Sequence, residues 1–198
     1  MKDGELNISG LSRLTFGISG HRDLLPAKIP ELREQIRLVF SRFRAAYPRI
    51  VFELLSPLAE GADRLAADVG LSLESKLLVP MPMPQQEYER DFTTPASLAE
   101  FHRLLSAAES HWVVEGSSGQ TRSDRYAAVG DYIARHSHIF ILLWDGQDNG
   151  KLGGTAWVKQ RRDYWTTSPK YGPTIQIVTP RVAGNSQNLQ VKTIGELP

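Results

Sequence analysis

The stretch His138-Ile-Phe-Ile-Leu-Leu-Trp144 contains the longest uninterrupted apolar run of the chain, Ile139–Trp144. Successive side chains of a strand point to opposite faces of a sheet, so a strand formed by this run is apolar on both faces. Such strands are typical of parallel sheets that are covered by helices on each side. The run therefore predicts a central strand of an α/β fold, and it is far too short to span a bilayer.

Short apolar runs and helical patterns alternate along the rest of the chain. Further strands are predicted at Arg13–Ile18, Ile50–Leu55, Lys76–Pro80 and Thr174–Thr179. Between the first two, from Leu32 to Tyr47, apolar residues recur every three or four positions, which is the spacing of one helix face. His111–Val114 fits either a strand or a connection. The alternation predicts a Rossmann-like three-layer sandwich around a mainly parallel β-sheet, with right-handed crossovers.

The composition is that of one soluble domain. Of the 198 residues, 41% are hydrophobic and 23% charged, and none is a cysteine, which excludes disulfides, a thiolate nucleophile and cysteine-based zinc sites. We expect a folded domain at residues 13–180, an N-terminal tail at 1–12, and a C-terminal tail or linker at 181–198. The last segment is loop-rich and lacks a closing element, which fits a domain excised from a longer protein.

Charge and targeting signals limit the expected partners. The net charge is +1 and no stripe of Lys and Arg stands out, so nucleic acid is predicted to be an unlikely partner. The polar N-terminus is not a signal peptide, and we expect a cytoplasmic protein. The histidines share no metal-ligand spacing, so no metal site and no bound cofactor are predicted.

Four segments that follow predicted strands are unusually rich in small and polar residues. They are residues 17–23 (GISGHRD), 56–63 (SPLAEGAD), 80–88 (PMPMPQQEY) and 145–155 (DGQDNGKLGGT). In an open parallel sheet all four project to the rim at which ligands bind. Two of them run directly into helices, whose first N–H groups and dipole together favour an anion.

This rim supplies all the candidate ligand-binding residues. They are Gly17, Ser19, Gly20, His21, Arg22, Glu60, Gly61, Ala62, Asp63, Pro82, Tyr88, Asp145, Gly153, Gly154 and Thr155. Arg22 can contact a phosphate with two donors, the 153–155 loop can cradle a phosphate, and Glu60 or Asp63 can accept from a ribose hydroxyl. Pro82, with Pro84, and Tyr88 would form an apolar shelf for a base. For SPLAEGAD one alternative stays open, because Gly61 admits either a ligand or only a neighbouring element.

The motifs resemble those of a known superfamily. SPLAEGADRLAA is similar to a segment of the DNA-processing Smf/DprA proteins, and WDGQDNGKLGGTAWV is similar to the phosphate loop of the LOG (Lonely Guy) phosphoribohydrolases. GISGHRD resembles the Gly-Ser-Arg type of first loop, and PQQEYERDF resembles a run in bacterial SLOG-domain proteins. SLOG is the superfamily that joins these groups. The resemblance covers roughly residues 13–180.

The resemblance implies a nucleotide or nucleotide-derived ligand. Many SLOG domains act in prokaryotic signalling and antiviral defence, where they are thought to sense nucleotide messengers and to switch an attached effector. For this protein we expect an effector domain or partner subunit and a homo-oligomer. A sensor module is therefore our first hypothesis, and a LOG-like nucleotide N-glycosidase is the alternative. A DNA-binding module of DprA type is a third hypothesis, and the near-zero net charge counts against it. LOG enzymes carry a Glu just after the Gly-Thr of their loop, whereas here Ala156, Trp157 and Val158 follow Thr155. This departure favours binding over hydrolysis.

Overall fold

The sheet and its helices follow the predicted alternation closely. The computed structural model describes residues 12–115, 121–148, 150–166, 172–183 and 188–198. The strands in this part of the chain are β1 (Arg13–Gly20), β2 (Val51–Leu55), β3 (Lys76–Met81), β4 (Ser110–Val113), β5 (Ile139–Trp144), β6 (Thr174–Val178) and β7 (Thr193–Ile194). The helices are α1 (Ile29–Ala46), α2 (Ala62–Ser72), α3 (Gln85–Tyr88), α4 (Pro95–Ser106), α5 (Arg122–His136) and α6 (Thr155–Trp165), with short 3₁₀ turns at Pro26–Lys28 and Glu89–Asp91.

Strand β5 is the apolar centre of the sandwich, as its sequence predicted. Its side chains Ile139, Ile141 and Leu143 pack into the core that α1, α2 and α4 cover. Phe140 and Leu142 point the other way and pack beneath α5 and α6. Both faces of the sheet are therefore buried, and the predicted α/β three-layer fold is confirmed.

The direction in which successive strands are added to the sheet reverses between β1 and β5. The sheet runs β4-β3-β2-β1-β5-β6-β7, and the first six strands of the chain are parallel to one another. From β1 the chain builds outward to β4, and it then returns through α5 to β5, on the other side of β1. Gly20 at the end of β1 pairs with Leu143 near the end of β5, so the two following loops begin at the same level. Such a reversal opens a crevice at the carboxyl ends of the strands.

The two edge strands of the sheet were not assigned from the sequence. The stretch that fitted either a strand or a connection forms the edge strand β4. At the other edge β7 pairs antiparallel with β6, so residues of the predicted C-terminal tail extend the sheet. Arg181 bonds to the carboxylate of Asp23 at 2.9 Å and holds the start of that segment to the loop after β1. Within the described ranges no helix has the length and apolarity needed to cross a membrane.

Candidate functional site

A cavity of about 440 Å³ lies over the crevice between β1 and β5. Its walls come chiefly from the loops after these two strands, from α5 and the start of α6, from Pro57 and Ala59 in the loop after β2, and from single residues of α2 and α3. The predicted site residues that line it are Ser19, Gly20, His21, Arg22, Asp63, Tyr88, Gly153, Gly154 and Thr155. The predicted rim is therefore the place where the cavity forms, although not every predicted residue reaches it.

The start of α6 forms one wall of the cavity. Gly154 is the N-cap residue and has no side chain to bond to the first N–H groups, and Gly154, Thr155 and Ala156 line the cavity. Gly153 has a φ of 73°, and a Cβ at this position would lie 2.9 Å from the backbone nitrogen of Ala127, so only glycine lets the loop pack this closely against α5. The wall therefore presents helix N–H groups and the positive end of the helix dipole.

Arg22 supplies a cation to the same cavity. Its guanidinium lies 5.1 Å from the centre of the Tyr126 ring, a cation–π distance, and it forms no ion pair with any carboxylate of the described chain. By contrast, Arg181 is paired with Asp23, and Arg122 is paired with Asp91. Within the described structure Arg22 thus lines the cavity without a carboxylate partner.

Asp63 and Tyr88 form a buried wall opposite α6. Asp63 is 6% exposed and Tyr88 is fully buried, and the two influence each other electrostatically. Burial raises the pKa of Asp63 to about 7, although the charges of Arg22 and Arg64 and a hydrogen bond from the Ala59 N–H oppose the shift. Burial also raises the pKa of Tyr88, so its hydroxyl stays protonated.

His21 and Asp145 link the loops after β1 and β5. The His21 Nε2 atom lies 3.0 Å from both the backbone nitrogen and a carboxylate oxygen of Asp145. Asp145 also accepts a hydrogen bond from the backbone N–H of Gln147, and it does not line the cavity. Burial lowers the pKa of His21, which favours the neutral ring. The pair joins the two loops, and His21 is the member of the pair that lines the cavity.

In the SPLAEGAD turn, the backbone of a neighbouring loop occupies the space beside the glycine. Gly61 has a φ of 78°, and a Cβ there would lie 2.6 Å from the carbonyl oxygen of His21. The N–H of Ala62 donates to that same carbonyl at 3.0 Å. Neither Gly61 nor Ala62 lines the cavity. The element that approaches this glycine is therefore the backbone of the loop after β1.

Three other predicted residues also lie away from the cavity. A Cβ on Gly17 would come within 2.7 Å of the Ser137 hydroxyl oxygen, so this glycine lets α5 approach the sheet. Glu60 accepts a hydrogen bond from the Ser97 hydroxyl and faces α4. Pro82 is buried outside the cavity lining, so Tyr88 alone remains of the predicted shelf.

Sequence reasoning missed residues whose roles depend on distant contacts. Tyr126 has the spacing of an inward helix residue, yet it lines the cavity beneath Arg22. Arg64 is buried and donates to the carbonyls of Leu58 (3.0 Å) and Ser97 (2.8 Å), so it clamps the SPLAEGAD turn to α4. No local signal distinguishes such an arginine from an exposed one. Among the residues that the structure describes, no group of three or more His, Asp or Glu side chains is placed to hold a metal ion.

These features define a Rossmann-like α/β domain with a cavity at its topological switch point. No protein-family profile matches the chain, and no curated protein sequence matches it significantly. Among solved structures, the chain is similar to DNA processing protein A (DprA) from Streptococcus pneumoniae, with 14% identity and a TM-score of 0.54 over 81% of this chain and 50% of that one. A second similarity is to DprA from Helicobacter pylori, described for its single-stranded DNA binding mode, with 16% identity and a TM-score of 0.47 over 82% of this chain and 66% of that one.

The comparison confirms the fold that the motifs suggested. The fold of this chain is similar to that of the pneumococcal DprA. The chain spans half the length of the pneumococcal DprA chain.

The same comparison contradicts the prediction that nucleic acid is an unlikely partner. The pneumococcal protein, whose fold is similar to that of this chain, is a DNA processing protein. The prediction rested on a net charge of +1, but a net charge averages over the whole surface. Four basic side chains line the cavity, namely Arg22, Arg122, Lys151 and Arg181, and two of them are paired there with carboxylates, Arg122 with Asp91 and Arg181 with Asp23.

Proposed function

We propose that the cavity binds a nucleotide or a nucleotide-derived ligand, with a phosphate held between the start of α6 and Arg22. The observation that carries the proposal is the meeting of these two groups in one cavity at the switch point. Backbone N–H groups and a guanidinium are complementary to phosphate oxygens, and helix N-termini recur as phosphate sites. The Thr155 hydroxyl adds a further donor.

The size and the lining of the cavity fit the rest of such a ligand. A volume of about 440 Å³ lies within the range of small-molecule sites, roughly 300–1,000 Å³. Tyr126 and Trp144 contribute aromatic surface on which a base can stack.

A binding module that senses a nucleotide-derived signal is the function that these features support best. The positions after Thr155 carry no carboxylate: Ala156 and Val158 are buried, and Trp157 is half-buried on α6. A LOG-like N-glycosidase is the second candidate, and Asp63 favours it because a buried carboxyl group with a raised pKa is suited to proton transfer.

Titration calorimetry with AMP, GMP, ADP, ADP-ribose and a single-stranded oligonucleotide tests the proposal. Arg22→Ala should weaken the binding of the tightest ligand about tenfold to a hundredfold, since a charge-assisted hydrogen bond is worth roughly 1.5–3 kcal/mol. Arg22→Lys should restore part of the affinity, because a point charge does not reproduce the bidentate geometry. Arg33→Ala on the outer face of α1 is the matched control. Equal affinity in Arg22→Ala and wild type would remove Arg22 from the site.

An assay of base release tests the N-glycosidase alternative. We expect no release of base from AMP or GMP during prolonged incubation with the protein, because no carboxylate follows Thr155. Catalytic base release that Asp63→Asn abolishes would establish the N-glycosidase instead.

A further inference from the structure

The wall formed by Asp63 and Tyr88 offers different polar groups to a ligand from those at the start of α6. It offers a carboxyl group and a phenol, both of them buried, where the α6 wall offers N–H donors. An anion is repelled by a carboxylate and attracted by N–H groups. A ligand with a phosphate at α6 therefore places an uncharged polar part against Asp63 and Tyr88.

Tyr88 has a hydroxyl group that lacks a protein partner. The hydroxyl oxygen is buried, and it makes no hydrogen bond within the described structure. Its ring is fixed by packing against Phe92 and Phe101, with ring centres 5.1 and 5.7 Å apart, so the hydroxyl has little freedom to find another partner. A buried polar group without a partner is costly, and such groups in native structures call for an explanation. A ligand atom at this wall would satisfy it.

Asp63 also retains hydrogen-bonding capacity. Its carboxyl group accepts the N–H of Ala59, and a carboxylate has about four acceptor positions. Its position is fixed because it lies in the first turn of α2 and Arg64, the next residue, is clamped to α4. The rigid pair thus combines an acceptor with a phenol that both donates and accepts.

We infer that Asp63 and Tyr88 recognise the ribose hydroxyls of the ligand, so that the cavity takes ribonucleotides in preference to deoxyribonucleotides. The inference rests on the proposed nucleotide-binding function. One hydroxyl of a ribose donates to the Asp63 carboxylate, and its neighbour accepts from the Tyr88 hydroxyl. Arg22 lines the same cavity, and its charge acts on both side chains. The hydroxyl that accepts from Tyr88 is the 2′-hydroxyl, so a 2′-deoxyribose leaves the buried Tyr88 hydroxyl unpaired.

Calorimetry with paired probes tests the inference: AMP and dAMP, GMP and dGMP, CMP and dCMP, and UMP and dUMP. For the base that binds tightest, wild type should bind the ribonucleotide at least about tenfold more tightly than the deoxyribonucleotide. Tyr88→Phe should bring this ratio close to one while it leaves deoxyribonucleotide affinity unchanged. It should also leave the unfolding midpoint unchanged or raised, because the removed hydroxyl has no protein partner. Tyr132→Phe on α5, outside the cavity lining, should keep the wild-type ratio.

The possible outcomes separate this inference from the proposal on which it rests. Equal affinity for the two members of every pair that binds would overturn ribose recognition and leave nucleotide binding intact. A ribose preference that Tyr88→Phe does not change would also overturn the inference, because another group would then read the sugar. Failure of all eight nucleotides to bind would overturn the inference, and the proposed function would fall with it if ADP and ADP-ribose also failed to bind.

Discussion

The starts of α2 and α6 look alike in sequence and differ in what approaches them. Both follow a parallel strand, both carry a glycine with positive φ, and the sequence predicts a ligand-approach turn at each. At α2 the space beside Gly61 is filled by the carbonyls of His21 and Arg22. At α6 the backbone of α5 lies beside Gly153, but Gly153, Gly154 and Thr155 also line the cavity. A small-residue turn therefore marks a close approach, but the neighbouring loop decides whether protein or ligand makes it.

The cause of the difference is the position of each helix relative to the reversal in strand order. The backbone of the loop after β1 contacts the start of α2, and α1 and α2 cover the same face of the sheet. On the other side of β1 the chain turns to the opposite face, and the crevice beside β5 stays open. The switch point thus leaves one of the two helix starts accessible.

The largest expected effect comes from Gly61→Ala, which should destabilise the fold. The new Cβ would meet the His21 carbonyl at 2.6 Å in a backbone conformation that alanine rarely adopts. Conformational strain and overpacking together should lower the free energy of unfolding by about 2–5 kcal/mol, measured by urea denaturation.

Gly146→Ala is the matched control for this variant. Gly146 has a φ of 88°, but no atom of the described structure lies within 4 Å of the place that a Cβ would take there. It should therefore show only the conformational cost, about 1–2 kcal/mol. Equal losses in the two variants would mean that the contact with the loop after β1 does not constrain the turn.

Thr155→Asp should abolish ligand binding without loss of stability. A carboxylate at the start of α6 interacts favourably with the helix dipole, by about 0.3–1 kcal/mol, but it repels the phosphate of the ligand. We expect nucleotide affinity to fall at least about a hundredfold in calorimetry while the unfolding midpoint stays the same or rises.

Thr155→Asn is the control that distinguishes the effect of the aspartate charge on nucleotide affinity from the effect of its side-chain shape. The asparagine side chain is nearly isosteric with aspartate but neutral, so the loss of affinity should be about tenfold or less. If Thr155→Asp bound the nucleotide as tightly as wild type, the start of α6 would not be the phosphate site.

Asp63 should give the protein a pH-dependent stability. Its pKa is about 7 in the folded protein against an ordinary value of 3.8, so between these values the folded state holds a proton that the unfolded chain has lost. The free energy of unfolding should therefore fall as the pH rises from about 4 to about 7, by up to roughly 1 kcal/mol per pH unit.

Comparison with Asp63→Asn isolates this contribution. The asparagine does not titrate, so the variant should become more stable relative to wild type as the pH rises through that range, and the difference should level off above about pH 7. Parallel pH profiles for the two proteins would contradict the burial of an ionisable carboxyl group at this wall.

The sequence predicted the fold well because its signals are local. The apolar run of β5, the periodicity of α1 and the small residues at strand ends each depend on neighbours in the chain. The residues that line the cavity were predicted less completely. Tyr126 and the Tyr88 hydroxyl matter because of contacts between distant elements, and Gly17 and Gly61 proved to be packing positions for the same reason. The buried Arg162 shows the limit most clearly, since it donates to backbone carbonyls of four residues that no sequence pattern connects to it.

Backbone amide chemical shifts of the ¹⁵N-labelled protein test the contrast between the two helix starts most directly. The titrant is the nucleoside monophosphate that binds tightest in calorimetry. A phosphate at α6 should produce the largest shift changes at the first-turn amides of Thr155, Ala156 and Trp157. The amide of Ala62, which is already bonded to the His21 carbonyl, should change little. Large changes at Ala62 with none at Thr155–Trp157 would show that the ligand enters at α2, and that the assignment of the two helix starts is reversed.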